Sequence, residues 1–133
     1  MNTISNYQNI ISQAWVGMAI ILIMMQITDL VEAGMKNDYS EFTHHLKMKG
    51  LWILSIMAII NVIIQNLVKI SDYPVVRWVV LIVSILYTLF HVIHQLVHLI
   101  SGDKFDIHFC FDITHHALGI TAIIFAIKWI GLF

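Results

Sequence analysis

Four long apolar stretches, separated by short polar segments, dominate the chain. They run over about Ile10–Val31, Leu51–Ile70, Val75–Ile100 and Ala117–Phe133. A helix needs roughly 20 apolar residues to cross a ~30 Å hydrocarbon core, and only a helix pairs all its backbone groups within one such segment. The last stretch is short unless its helix begins earlier, near His108 or Asp112. The pattern predicts an all-α, integral-membrane four-helix bundle with up-down-up-down topology.

The polar positions divide this predicted bundle into two unlike ends. Threading the four helices up and down brings every histidine of the chain into one half: His44, His45, His91, His94, His98, His108, His115 and His116. Asp29, Glu32, Asp106 and Asp112 fall in the same half, and both chain termini fall at the opposite face. Ionisable residues inside a membrane are costly and usually mark function, so the histidine end is the predicted functional end.

Two short polar segments occur twice, once in each half of the chain. EFTHH at 41–45 corresponds to DITHH at 112–116, and GMKND at 34–38 corresponds to GDKFD at 102–106. Each copy lies between two apolar stretches, so each half is a helix, a polar loop, an acid-x-x-His-His box and a second helix. The sequence therefore predicts one domain over 1–133, built from duplicated halves of about 1–70 and 71–133 that are related by an axis along the membrane normal.

The boxes carry donors that bind metal ions. Glu41 and Asp112 each have histidines three and four positions later, which places carboxylate and imidazole on one helical face. The predicted metal ligands are Glu32, Glu41, His44, His98, Asp112 and His115. Second choices are His45, His94, His108, His116 and Asp29. This donor order resembles that of ferritin-like di-iron and di-manganese bundles, with histidine replacing a glutamate on the third helix. The resemblance implies iron or manganese, whereas the excess of imidazole suits zinc or copper.

These ligands favour a membrane-embedded metal protein with a binuclear or mononuclear non-haem site, redox or oxygen-activating chemistry, and a lipid-soluble substrate or quinol. Three alternatives stay open. A small cytochrome b would ligate haem b through His91 or His94 and His115 or His116. A metal or proton conduit would use the same relay of histidines and acids. A zinc hydrolase would use Glu41 or Asp112 as a general base.

Composition narrows the class of protein further. Hydrophobic residues make up 59% of the chain and charged residues 11%, whereas soluble domains carry about 25% charged residues. A net charge of −1 offers no basic patch for nucleic acid, and a single cysteine permits no internal disulfide. We expect a multi-pass protein of a prokaryotic cytoplasmic membrane, with a second copy of itself or a redox protein as possible partners.

Several residues outside the boxes also carry expectations. Asn61, Gln65 and Asn66 lie toward the histidine-free half, where interhelical hydrogen bonds would satisfy their amides. Trp78 and Trp129 fall at the membrane side of the KISDYPVV turn, which predicts that both belong to an interfacial aromatic belt.

Overall fold

The computed structural model describes residues 5–40, 48–100 and 107–132, except for the side chains of residues 48–52, 54, 98, 107 and 108. Four helices account for nearly all of it: α1 Asn6–Lys36, α2 Met48–Ile70, α3 Pro74–Ile100 and α4 Ile107–Ile130. Within the described ranges there is no strand. The predicted all-helical class is therefore confirmed, and α4 begins early, before Asp112, as the short apolar stretch required.

The helices pack in a ring, in the order α1, α2, α3, α4 and back to α1. Hydrogen bonds at the starts of α1 and α3 fix the directions of the helices. Gln8 at the start of α1 donates from Nε2 to the carbonyl of Val68 at the end of α2, over 2.8 Å. Arg77 at the start of α3 donates to the carbonyl of Trp129 at the end of α4, over 3.0 Å. Neighbouring helices therefore run antiparallel, which is the arrangement expected of two repeated hairpins.

Gln8 has a second role at the beginning of α1. The Ser5 hydroxyl accepts from the Gln8 N–H, and the Gln8 side chain accepts from the Ser5 N–H, so the two residues form a capping box. The Gln8 side-chain nitrogen also lies 3.3 Å from the carbonyl of Ser71. One buried glutamine thus caps its own helix and joins it to the end of α2.

The opposite edge of the same end is joined by Asp72, Arg77 and Trp129. Asp72 Oδ1 accepts from the Trp129 indole N–H over 2.8 Å and forms an ion pair with Arg77 at 2.9 Å. The Arg77 guanidinium lies 5.6 Å from the centroid of the Trp129 ring. Trp129 is consequently buried against the bundle and does not face lipid head groups as predicted, whereas Trp78 is about half exposed. An interfacial place for Trp78 stays a prediction.

Small residues let the helices approach closely around α4. A Cβ on Gly119 would overlap the Thr88 side chain of α3, and a Cβ on Gly17 of α1 would come within 2.8 Å of Leu118 Cδ1. Ala122 and Ala126 continue the same packing and are fully buried. Close approach of backbones through small residues is how helices associate in lipid, where the hydrophobic effect between them is weak.

The outer surface is apolar along the helices. Large side chains stand exposed on every helix, for example Ile23, Ile59, Leu86 and Ile124. Asn6–Lys36, Pro74–Val97 and Phe109–Ile130 are long and apolar enough to cross a membrane, and the described apolar part of α2 is the shorter Ser55–Ile70. Such a surface needs lipid to cover it, and this is consistent with a multi-pass membrane protein. A fourth span by α2 stays a prediction.

The first copy of the repeated loop segment, residues 34–38, ends α1. Asn37 adopts a left-handed conformation with φ 50°, and its N–H reaches the carbonyls of Ala33 and Gly34. Hydrogen bonds from the Ser40 hydroxyl and the Ser40 N–H lower the pKa of the Asp38 carboxyl. The second copy, residues 102–106, lies outside the described residues, so the internal duplication stays a prediction.

Candidate functional site

His91 of α3 and His115 of α4 are in direct contact. Their ring centroids lie 3.9 Å apart at an interplanar angle of 43°. The contact forms because α3 and α4 run antiparallel, so a position late in α3 meets a position early in α4. It lies at the histidine end of the bundle, where the sequence predicted the functional groups.

His115 is buried and His91 is half-buried, and both rings have a nitrogen that makes no hydrogen bond within the described residues. His115 is 2% exposed, and neither of its ring nitrogens has a partner among the described residues. The same holds for Nε2 of His91 and Nε2 of His116, whose ring lies 6.5 Å from that of His115. A buried polar group left unpaired costs about 1–3 kcal/mol, so several of them together call for a ligand or bound water.

Tyr87 lies beside this pair, toward the middle of the bundle. Its ring centroid is 4.9 Å from that of His91 and 5.6 Å from that of His115. On its other side it lies 4.9 Å from the ring of Trp15. The Tyr87 hydroxyl accepts a 2.7 Å hydrogen bond from Nδ2 of Asn61. One buried tyrosine therefore contacts or bonds to all three other helices.

The interior next to Tyr87 contains further unpaired polar atoms. Trp15 Nε1, Asn61 Oδ1, Ser84 Oγ and Thr88 Oγ1 are all buried and lack a hydrogen-bond partner within the described ranges. Of this layer, only Asn61 was predicted from the sequence to make interhelical hydrogen bonds. A signal was present, because Ser84, Thr88 and His91 are polar positions at i, i+4 and i+7 in an otherwise apolar helix.

The asparagine prediction is confirmed for one residue and wrong for another. Asn61 makes an interhelical hydrogen bond to Tyr87, as expected. Asn66 instead donates 2.8 Å to the carbonyl of Val62 in its own helix and is exposed. Hydropathy could not separate the two residues, because only the rotation of α2 within the bundle decides which amide faces inward.

The predicted ligands on α1 lie away from the histidine pair. Glu32 forms an exposed 3.3 Å ion pair with Lys36, one turn later. At ~1.5 Å rise per residue, Glu32 lies roughly 13 Å farther toward the histidine end than His91, measured from the helix starts. Asp29 is half-buried one turn before Glu32. The structure does not bring Glu32 to His115.

The side chains of the predicted ligands on α3 and α4 differ in how deeply they are buried. His94 is exposed, with its ring stacked 6.4 Å from that of Phe90. Asp112 is half-buried one turn before His115. Among the second-choice metal ligands, His116 lies beside the His91–His115 pair. His91 belongs to that pair, although the sequence suggested it only as a haem ligand.

Other predicted ligands cannot be compared with this geometry. Glu41, His44 and His45 lie outside the described residues, as do the side chains of His98 and His108. Among the side chains that are described, no group of three or more His, Cys, Asp or Glu is placed to share a metal ion. The structure therefore supplies a two-histidine contact, and the six-ligand set stays a prediction.

The ring contact bears on the haem alternative. In this structure the two rings are in direct contact, so a porphyrin could be ligated by both His91 and His115 only if the rings moved apart. Haem ligation by one of His91 and His94 together with one of His115 and His116 stays a prediction.

Comparison of the chain with protein-family models, with curated proteins and with solved structures gives no match. Its function must therefore be argued from the histidine pair and the groups around it.

Proposed function

We propose that this chain is a membrane-embedded metal-binding protein in which His91 and His115 supply imidazole ligands, with redox or oxygen-activating chemistry on a lipid-soluble substrate. The observation that carries the proposal is the contact of buried His115 with half-buried His91, in which His91 Nε2 and both nitrogens of His115 have no partner among the described residues. A metal ion would satisfy one nitrogen of each ring, and it favours the neutral imidazole that an apolar interior also favours.

The chemistry of the donors narrows the choice of metal. Imidazole suits iron, copper, zinc and nickel, while carboxylate suits manganese and other hard cations. Iron accepts both donor types and is commonly held by two histidines and one carboxylate in non-haem oxygenases. The carboxylate is expected from Glu41, which lies outside the described residues, or from Asp112 after a change of rotamer. An all-imidazole site would instead favour copper or zinc.

The surroundings favour a substrate that enters from lipid. The outer faces of the helices are apolar and the histidine pair lies within the helical spans rather than in a loop. A water-soluble substrate would have to pass the apolar exterior or the loops at the histidine end. We therefore propose a lipid-soluble substrate, with quinol as the leading class.

The test is elemental analysis of the detergent-purified protein after incubation with iron, manganese, copper or zinc and removal of excess metal. We expect bound metal in the wild type, loss of most of it in His91→Leu and His115→Leu, and retention in the control Asn66→Leu, which removes an exposed polar side chain whose amide donates within α2. A wild type that binds none of the four metals, or unchanged binding in both site variants, would contradict the proposal.

Two further measurements distinguish haem from a non-haem metal, and a binuclear site from one restricted to the α3–α4 pair. A Soret band in the visible spectrum would support haem rather than a non-haem metal. His44→Ala tests the sequence-predicted second box, because a binuclear site should lose metal in this variant as well as in His115→Leu. Retention in His44→Ala together with loss in His115→Leu would restrict the site to the α3–α4 pair.

A further inference from the structure

The polar layer beside the histidine pair has the features of a ligand site. We define this layer as Trp15, Asn61, Ser84, Tyr87 and Thr88. All five side chains are buried at 8% exposure or less. Four of them have an unpaired polar atom within the described part of the chain: Trp15 Nε1, Asn61 Oδ1, Ser84 Oγ and Thr88 Oγ1.

The packing of the helices offers a route to this layer. Among the described residues, α2 makes fewer close backbone contacts with α3 than with α1. The same described residues of α2 face both neighbours, so the smaller number of contacts with α3 reflects how the helices pack. Asn61 and Tyr87 lie at this seam and bridge it by their 2.7 Å hydrogen bond. The seam faces lipid, since Ile59, Val62 and Leu86 on either side are exposed.

The chemistry of the layer restricts what it can bind. Trp15 Nε1 is a donor, Asn61 Oδ1 is an acceptor, and the two hydroxyls can act as either. Trp15 and Tyr87 add two aromatic rings to the layer, with centroids 4.9 Å apart. Both features suit a planar ring bearing carbonyl oxygens in one oxidation state and hydroxyls in the other.

We propose that the polar layer binds the head group of a quinone or quinol, which enters from the membrane between α2 and α3. The choice of quinone rests on the proposed redox function, whereas the binding itself does not require the metal. Asn61 is the principal polar contact, Ser84 supplies a hydroxyl, and Tyr87 separates the head group from the histidine pair, which its ring contacts.

The experiment is isothermal titration of the detergent-solubilised protein with decylubiquinone, in metal-loaded and metal-free samples. We expect saturable binding of one quinone per chain in both samples. Asn61→Leu should weaken binding at least tenfold, and Ser84→Ala, a smaller change, about threefold. The control is Asn66→Leu, which alters an exposed amide five residues later on α2 that bonds only within its own helix; its affinity should equal that of the wild type.

Partition of quinone without saturation, or equal affinity in wild type, Asn61→Leu and Ser84→Ala, would overturn the proposal and leave water as the occupant of the layer. Metal analysis of the same preparations keeps the two proposals apart. Loss of quinone binding in Asn61→Leu with its metal retained supports the quinone site, whereas absence of metal in a wild type that still binds quinone contradicts only the metal proposal. If Asn61→Leu does not fold, Ser84→Ala alone decides.

Discussion

The imidazole rings of His91 and His115 meet across the α3–α4 interface with centroids 3.9 Å apart and no hydrogen bond to the His115 nitrogens among the described residues. In the metal-free protein this arrangement should be destabilising, because two buried polar atoms on one ring lack partners. Polar atoms that are kept for a ligand lower the stability of the fold when the ligand is absent, and such a loss of stability is common at functional sites.

The metal-free His115→Leu variant should therefore be more stable than the metal-free wild type. Leucine has a similar size and no polar atoms, so we expect the free energy of unfolding to rise by about 1–3 kcal/mol, the cost of a buried unpaired polar group. Unfolding in mixed micelles measures it, with exposed His94→Leu as the control. A lower stability of His115→Leu would instead assign the ring a hydrogen-bonded structural role.

Gly119→Ala should separate α3 from α4. The added Cβ meets the short, β-branched Thr88 side chain, which has little freedom to move away. Overpacking of this kind costs about 1–3 kcal/mol. We expect a lower thermal midpoint and, through the displaced His91–His115 contact, weaker metal binding.

Gly17→Ala is the matched control for that variant. Its added Cβ meets the terminal Cδ1 of Leu118 at 2.8 Å, and a leucine end can rotate away. We expect stability within about 1 kcal/mol of the wild type, helped by the higher helix propensity of alanine. Equal losses in Gly17→Ala and Gly119→Ala would contradict the proposed difference between the two contacts.

Gln8→Leu should destabilise the end of the bundle opposite the histidines. The change removes the capping box with Ser5 and the 2.8 Å bond to the Val68 carbonyl. A lost cap costs about 0.5–2 kcal/mol and a buried carbonyl left unpaired about 1–3 kcal/mol. Gln13→Leu, at an exposed position of the same helix, should change the unfolding free energy little. Similar losses in both variants would remove Gln8 as a link between α1 and α2.

Trp129→Phe should weaken the attachment of α4 to the α2–α3 turn. Phenylalanine keeps an aromatic ring for Arg77 but removes the indole N–H that donates 2.8 Å to Asp72. We expect a loss of about 0.5–1.5 kcal/mol, the net value of one hydrogen bond. Trp78→Phe, at a half-exposed position, should stay near the wild type, and thermal unfolding of both variants in detergent provides the comparison.

The sequence by itself determined the helices and the end of the bundle at which the histidines gather. The apolar stretches fixed four helices because backbone groups in lipid must pair within their own segment. The box at 112–116 placed His115 and His116 near the start of α4, and the position of His91 along α3 placed it in the same half. Each of these conclusions needs only position along the chain.

Only the tertiary structure decided which of those groups meet. Helical periodicity defines the faces of one helix, but not how far that helix is rotated or displaced against its neighbour. Here the Gly119–Thr88 contact and the Arg77–Trp129 hydrogen bond fix α4 against α3, so His115 meets His91. The rotation of α2 turns Asn61 inward to Tyr87 and leaves Asn66 outside. Such choices depend on the shapes of two surfaces in contact, which one-dimensional spacing does not contain.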